Sequence, residues 1–304
     1  MLKPTYLKKG DCIGIISLAS SPSKEEVERG ILFLKEQGFK VRLGTYYDKK
    51  NGYLAGKDEE RVKDLHDMFL DKNIKAVFCT RGGYGCSRLS EKINFELISK
   101  HPKIFMGYSD ITYLHVLLNE KCQLVTFHGP MMQPEFSQEC VDESTKNALD
   151  VLMGKKEWEI PMKKTKTIVP GLAEGILIGG NLTVFMSTFG TDDEPNLDGK
   201  IVFFEDIKED PYKVDRMLNQ FYLSQKWKNV SGFLLGSFTD CEATTNHGVL
   251  VEEVLENYFK KMNKPTIAQL PIGHSIPNYI LPLNCLISMN TWTKKINAED
   301  YFSL

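Results

Sequence analysis

The sequence predicts an α/β protein of two domains, the first built on a parallel sheet covered by helices on both faces. Three observations lead there. A chain of 304 residues is long for one core and comfortable for two domains. Its first 130 residues alternate β-rich apolar runs with amphipathic helical segments, and five strands separated by helices imply parallel pairing. Beyond a proline-marked connection, a second series of strands and helices begins near Glu174.

The elements come in this order. Residues 12–17 are the first apolar run. Ser23 and Glu26 stand at capping-box spacing for a helix that stops before Gly38, with Val27, Ile31 and Leu34 on its buried face. Residues 40–43 form a second strand and 58–70 a second amphipathic helix carrying Val62, Leu65 and Phe69. A third strand (76–80) runs into the glycine-rich turn 81–85 and a helix near 87–100; a fourth (104–106) precedes a helix over 110–120, and 124–127 closes the series. The connection carries Pro134, Pro161 and Pro170, a basic run at 163–166 and a helix over 142–153. Then come a strand at 175–179, a helix at 182–189, a strand at 200–204 and a helix with Pro211 near its first turn. A strand at 233–237, a helix at 249–261 and a strand at 266–270 succeed it, and the proline-interrupted tail 279–290 reads as edge strands. The resulting boundaries are 1–130, a connection at 131–172, and 173–304.

Composition removes several classes of partner. Lys+Arg of 38 against Asp+Glu of 40 leave a net charge of −2, which supplies no field for nucleic acid or an anionic membrane. Seven cysteines include no C-x-x-C, and Cys12, Cys79, Cys122 and Cys285 lie in apolar stretches. That usage points to a reducing compartment without structural disulfides. The first ten residues are charged, unlike a signal peptide, and the longest uncharged stretch (275–293) holds two prolines and three asparagines. A cytoplasmic protein is expected.

In open parallel sheets ligands gather at the carboxyl ends of the strands, so the turns after strands three and four are the places to search. In Met106-Gly-Tyr-Ser-Asp110 a strand runs into a helix through a very short turn, which thrusts the Ser109 hydroxyl out above a helix N-terminus. Thr112 stands where the G-x-S-x-G pattern has glycine, and a serine or aspartate there also serves as a plain helix cap. The turn Thr80-Arg-Gly-Gly-Tyr-Gly85 can aim backbone N–H groups at an oxyanion, although such a turn can equally be structural. It lacks the endings of a P-loop or a dinucleotide site. Glu205 and Asp206 end a buried strand, where one of them could orient a histidine or both could merely cap the next helix. Of six histidines, His274 on a Gly/Pro-bounded loop is the best candidate for a general base. His66 and His101 read as surface residues, His115 as packing, His128 as a second residue of the same cleft and His247 as a helix start. No pattern of metal-ligand spacing is present, and neither metal nor cofactor is expected.

Together these segments resemble one family. The chain reads I-G-I-I-S-L-A-S-S-P, then T-R-G-G-Y-G-C-S-R-L and M-G-Y-S-D-I-T, then G-G-N-L-T, F-F-E-D-I…P-Y-K-V-D-R-M-L and P-I-G-H-S-I-P-N-Y-I-L-P-L. In order and spacing this is similar to the LD-carboxypeptidase family of serine peptidases, the muramoyl-tetrapeptide carboxypeptidases. The resemblance implies a Rossmann-like parallel-sheet N-terminal domain, a smaller β-rich α/β C-terminal domain and an active site in the cleft between them. It further implies Ser109 as nucleophile, His274 as general base, Glu205 as the residue orienting it, and an oxyanion hole from the N–H groups of Gly83 and Asp110. The substrate implied is a murein tetrapeptide that loses its terminal D-alanine, and the assembly implied is a homodimer. Ser275 departs from the glycine common in the family, and Arg81 is the candidate to hold the substrate carboxylate. Three alternatives accompany this reading. The first is the microcin C self-immunity branch, whose members have a longer connection with an aromatic for stacking on a base, whereas Trp158 is the only tryptophan in the connection here. The second is a non-catalytic protein binding a small ligand in the same cleft, and the third a nucleotide-dependent Rossmann enzyme.

Overall fold

Residues 1–243 and 248–303 are described by the structure, a computed structural model. Five parallel strands fill the first half: β1 (Cys12–Ile16), β2 (Lys40–Leu43), β3 (Ile74–Cys79), β4 (Ile104–Gly107) and β5 (Thr126–His128). Between them run α1 (Lys24–Glu36), α2 (Asp58–Leu70), α3 (Phe95–Ser99) and α4 (Thr112–Cys122). The sheet order is β5-β4-β3-β1-β2, with β1 between β3 and β2. β3 and β4 are buried nearly throughout, so they read as continuous apolar runs.

The second sheet is mixed. Its strands are β6 (Lys166–Val169), β7 (Leu172–Asn181), β8 (Ile201–Ile207), β9 (Gly232–Thr239), β10 (Thr266–Ala268), β12 (Leu286–Asn290) and β13 (Lys295–Glu299). They lie in the order β13-β12-β7-β8-β9-β10-β6, parallel from β7 to β10. One face packs on α6 (Leu182–Met186), α7 (Pro211–Ser224) and α8 (Val251–Met262) through Phe185, Phe204, Phe221, Phe233 and Phe259. The other face, through Leu177, Ile201, Phe203 and Leu234, joins the same apolar cluster as Ile15, Phe78 and Met106 of the first sheet. One core therefore runs through both sheets and fixes how they face each other.

Several expectations change. The helix expected over 87–100 is a 3₁₀ turn (Cys86–Lys92) followed by α3, which Asn94 caps by accepting from the Leu97 N–H at 3.0 Å. The capping box at Ser23 is half formed. Its hydroxyl accepts from the Glu26 N–H, but its own N–H donates to Gln133, because α1 packs on the short π-helical turn Met132–Phe136. α5 (Glu143–Leu152) matches the helix expected in the connection, and Asp142 caps it. β6 belongs to the second sheet, so that sheet begins inside the expected connection. The tail divides. β11 (Leu281–Leu283) pairs antiparallel with β5 at the edge of the first sheet, where Pro282 is tolerated. β12 is not an edge strand, since β13, which periodicity did not announce, covers its outer side. Among the described residues no helix is long and apolar enough to cross a membrane. All seven cysteines are free thiols.

Candidate active site

β4 ends at Gly107, Tyr108 is extended, and Ser109 takes φ +66°, in the left-handed region. A non-glycine residue held there costs on the order of 1–3 kcal/mol, and the sharp turn leaves Ser109 half-buried at the carboxyl edge of the sheet. The helix expected from Asp110 opens with a 3₁₀ turn, Ser109–Ile111, before α4. The Asp110 carboxylate accepts from the Cys86 N–H at 2.9 Å, tying the Ser109 turn to the end of the glycine turn. Burial raises its pKa.

The glycine turn lies directly on Ser109. A Cβ on Gly82 would stand 2.6 Å from the Ser109 Cβ and 2.7 Å from its hydroxyl, so any larger residue there must push Ser109 aside. Gly83, at φ +119°, abuts Ser20, and among the described residues its N–H has no acceptor. If Ser109 is the nucleophile that the family resemblance implies, Gly82→Ala is expected to leave the protein folded yet cut turnover by about 100-fold, since displacing a reacting group by about an ångström costs that much. Turnover per folded protein, with the fold followed by circular dichroism, checks this.

Arg61 holds the turn from below. It is fully buried and donates to the Gly85 carbonyl at 3.0 Å and to the Leu18 carbonyl, while pairing with Asp58 at 2.6 Å. Sequence reasoning missed it. The signal was its position four residues before Leu65 and seven before Met68, on the helix face that is buried.

On β8 the side chains alternate across the sheet. Glu205, fully buried, accepts from His274 Nδ1 at 2.7 Å and from the His274 backbone N–H at 3.2 Å. Gly273, at φ +106°, lets the histidine loop lie on the Glu205 side chain, where a Cβ would meet Glu205 Cγ at 2.8 Å. Asp206 points the other way, accepting from Asn181 Nδ2 (2.8 Å), the Thr183 N–H (3.0 Å) and the Thr183 hydroxyl (2.8 Å). Burial and the adjacent Glu205 charge push its carboxyl up to about 6. With Nδ1 engaged by Glu205, the second nitrogen of His274 is the basic one. Burial depresses the His274 imidazolium, but the Glu205 charge and hydrogen bond outweigh it, and Asp206 and Glu135 add, so the pKa lies above its usual value.

The two halves meet at Tyr108, whose ring stands edge-on to His274 with centroids 4.8 Å apart. Tyr108, the residue before Ser109, thus sets the end of β4 against the His274 loop of the second sheet. A second bridge joins β7 to α4: the Asn181 N–H donates to the Thr112 hydroxyl at 2.9 Å, and a Cβ on Gly180 would collide with Thr112. Thr112 in place of glycine is therefore the contact the G-G-N segment is built to receive.

The other histidines lie elsewhere. His128 is fully buried between Tyr108 and Phe203 and does not line the cleft. His115 is packing, with Nε2 on the Gly107 carbonyl at 2.8 Å and Nδ1 on Thr126 at 2.9 Å, and burial pushes it down to about 4. His66 is half-buried and accepts from the Asn94 N–H. His247 lies outside the described residues. No group of three or more His, Cys, Asp or Glu residues suited to a metal occurs among the described residues. A cavity of about 360 Å³ between β9, β10 and α8 reaches Ser275, but neither Ser109, Glu205 nor His274 lines it.

Comparison with known proteins gives consistent results. Residues 13–129 match the model of the LD-carboxypeptidase N-terminal domain and residues 174–289 that of the LD-carboxypeptidase C-terminal domain. A probable murein peptide carboxypeptidase of Bacillus subtilis is 42% identical over 98% of this chain and 94% of its own length. The solved structure of a muramoyltetrapeptide carboxypeptidase from Oxalobacter formigenes superposes with a TM-score of 0.84 at 29% identity, covering 96% of this chain and 100% of that one. The microcin C7 self-immunity protein MccF superposes with a TM-score of 0.92 at 26% identity, over 100% of both chains.

Proposed function

This chain belongs to the LD-carboxypeptidase family, and from that premise we propose that it is a serine peptidase that removes the terminal D-alanine from murein tetrapeptides. The observation that carries the reading is the 2.7 Å bond between Glu205 and His274, on a loop whose imidazole abuts the residue preceding Ser109. In the reaction, the Ser109 oxygen attacks the carbonyl of the L,D-amide while His274 takes its proton. The carbonyl oxygen becomes an oxyanion facing the N–H groups of Gly83 and Asp110, and Glu205 stabilises the imidazolium. Collapse breaks the C–N bond as the imidazolium gives its proton to the departing D-alanine amine. Water, deprotonated by His274, then attacks the acyl-serine ester and restores the serine.

A carboxypeptidase must also hold a free carboxylate. Arg81 opens the turn that lies on Ser109, and among the described residues its guanidinium makes no hydrogen bond or ion pair. It is the group proposed for that task. Arg81→Ala is expected to raise KM by about 10- to 100-fold with a smaller effect on kcat, the size of one charge-assisted hydrogen-bonded pair. Steady-state kinetics on the tetrapeptide and its C-terminal amide separate the two parameters.

The competing outcome is an amidase acting on an aminoacyl-nucleotide. Trp158, the connection's only tryptophan, is buried and donates through Nε1 to the Ile280 carbonyl at 2.7 Å, so its ring is unavailable to stack on a base. Incubating the protein separately with purified murein tetrapeptide and an aminoacyl sulfamoyl adenosine tests the proposal. Release of D-alanine from the first, with the second untouched, is expected; the reverse would overturn it. The seven free thiols support action in a reducing cytoplasm. A homodimer is part of the same reading, checked by sedimentation.

A further inference from the structure

Glu135 is named by no step of that reaction, yet its carboxylate is buried, and a buried carboxylate persists only where donors satisfy it. Three do. The Tyr108 hydroxyl donates to Oε1 at 2.7 Å, the Met131 N–H to Oε2 at 2.8 Å, and Asn278 Nδ2 to Oε1 at 3.5 Å. Two of these donors lead straight to the two halves of the site. Tyr108 precedes Ser109, and its ring lies against His274. Asn278 accepts from the Gly273 N–H at 2.9 Å, and Gly273 is the residue that seats the His274 loop on Glu205. Both Tyr108 and Asn278 are buried, so water does not compete for these bonds.

The element carrying Glu135 is itself fixed. In the turn Met132–Phe136, Met132 packs against Gly30 of α1, and the Phe136 ring stacks on Phe78 of β3 with centroids 5.8 Å apart. A carboxylate so placed is a rigid post with one tie to the nucleophile turn and one to the base loop.

We propose that Glu135 is a positioning residue for the peptidase reaction, holding Ser109 and His274 in mutual register across the two sheets through Tyr108 and Asn278. The inference rests on the triad reading above. When ionised it has a second, small effect, since it lies close enough to favour the imidazolium of His274. Burial pushes the Glu135 carboxyl itself up to about 7, against the pull of its three donors.

Two variants test this. Glu135→Gln keeps the shape but turns an amide NH₂ toward one of the donors. Tyr108→Phe keeps the ring against His274 and deletes only the bond to Glu135. Each is expected to lower kcat by about 10- to 100-fold with KM nearly unchanged, the signature of misplaced reacting groups. The rate at which a serine-directed fluorophosphonate labels Ser109 should fall by a similar factor in both. The double variant should lose less than the product of the two single losses, because the pair acts as one link. Should Glu135→Gln fail to fold, Tyr108→Phe carries the test alone. Wild-type kcat and wild-type labelling in the folded variants would overturn the role of Glu135 while leaving the peptidase standing. A wild-type protein that neither takes the label nor releases D-alanine would remove the peptidase reading and this one together.

Discussion

Replacing Ser109 with alanine is expected to lower D-alanine release by about four or more powers of ten, because the nucleophile of a triad is the member whose loss is least compensated. The substitution is a clean one. The Ser109 side chain makes no hydrogen bond with another described residue, and alanine meets the left-handed backbone at φ +66° with a Cβ as serine does. Thermal unfolding should therefore stay close to that of the wild type while labelling by a fluorophosphonate disappears. Equal turnover by the two proteins would exclude Ser109 and, with it, the acyl-enzyme route.

The features that could be read in advance are the local ones. The five strands of the first sheet are short apolar runs between capped helices, and each lies within two residues of its expected position. The turn at Ser109 was legible because so short a passage from β4 into a helix leaves few ways to direct a side chain. Tertiary choices were not legible. That 281–283 crosses to the first sheet while 286–290 stays in the second depends on which edge is open, and no periodicity records that. Strand alternation says that Glu205 and Asp206 face opposite sides, but only the packing of the Gly273–His274 loop decides which side holds the histidine. Glu135 lies next to Pro134 in a stretch that reads as an interdomain connection, and Arg61 on a helix that reads as amphipathic. A charge buried through partners distant in sequence leaves no local mark, which is why both were passed over.

Glu205→Gln should cost about three to four powers of ten in kcat, comparable to neutralising the acid of other triads. Glutamine fills the same space and its carbonyl can still accept from Nδ1, so orientation is partly kept. The loss is that of the charge that stabilises the imidazolium in the transition state. The pH profile provides an independent check. The base must be neutral to act, so kcat/KM rises with pH through the pKa of His274, which lies above the usual histidine value despite burial because of the Glu205 charge and hydrogen bond. Removing that charge leaves burial as the dominant influence, and the acidic limb of the variant should move to lower pH. Linkage fixes the sign for stability as well. A histidine whose folded pKa is raised contributes stability fully below its unfolded pKa and loses it as pH rises through the folded one. The wild type's advantage in melting temperature over Glu205→Gln should accordingly shrink from acid toward alkaline pH. Asp206→Asn is the control. It sets an amide against Asn181 and Thr183, so it should destabilise by about 1–3 kcal/mol while reducing kcat per folded molecule far less. If Asp206→Asn instead proves the more damaging to kcat, with the acidic limb of Glu205→Gln unmoved, the carboxylate that serves His274 has been misassigned.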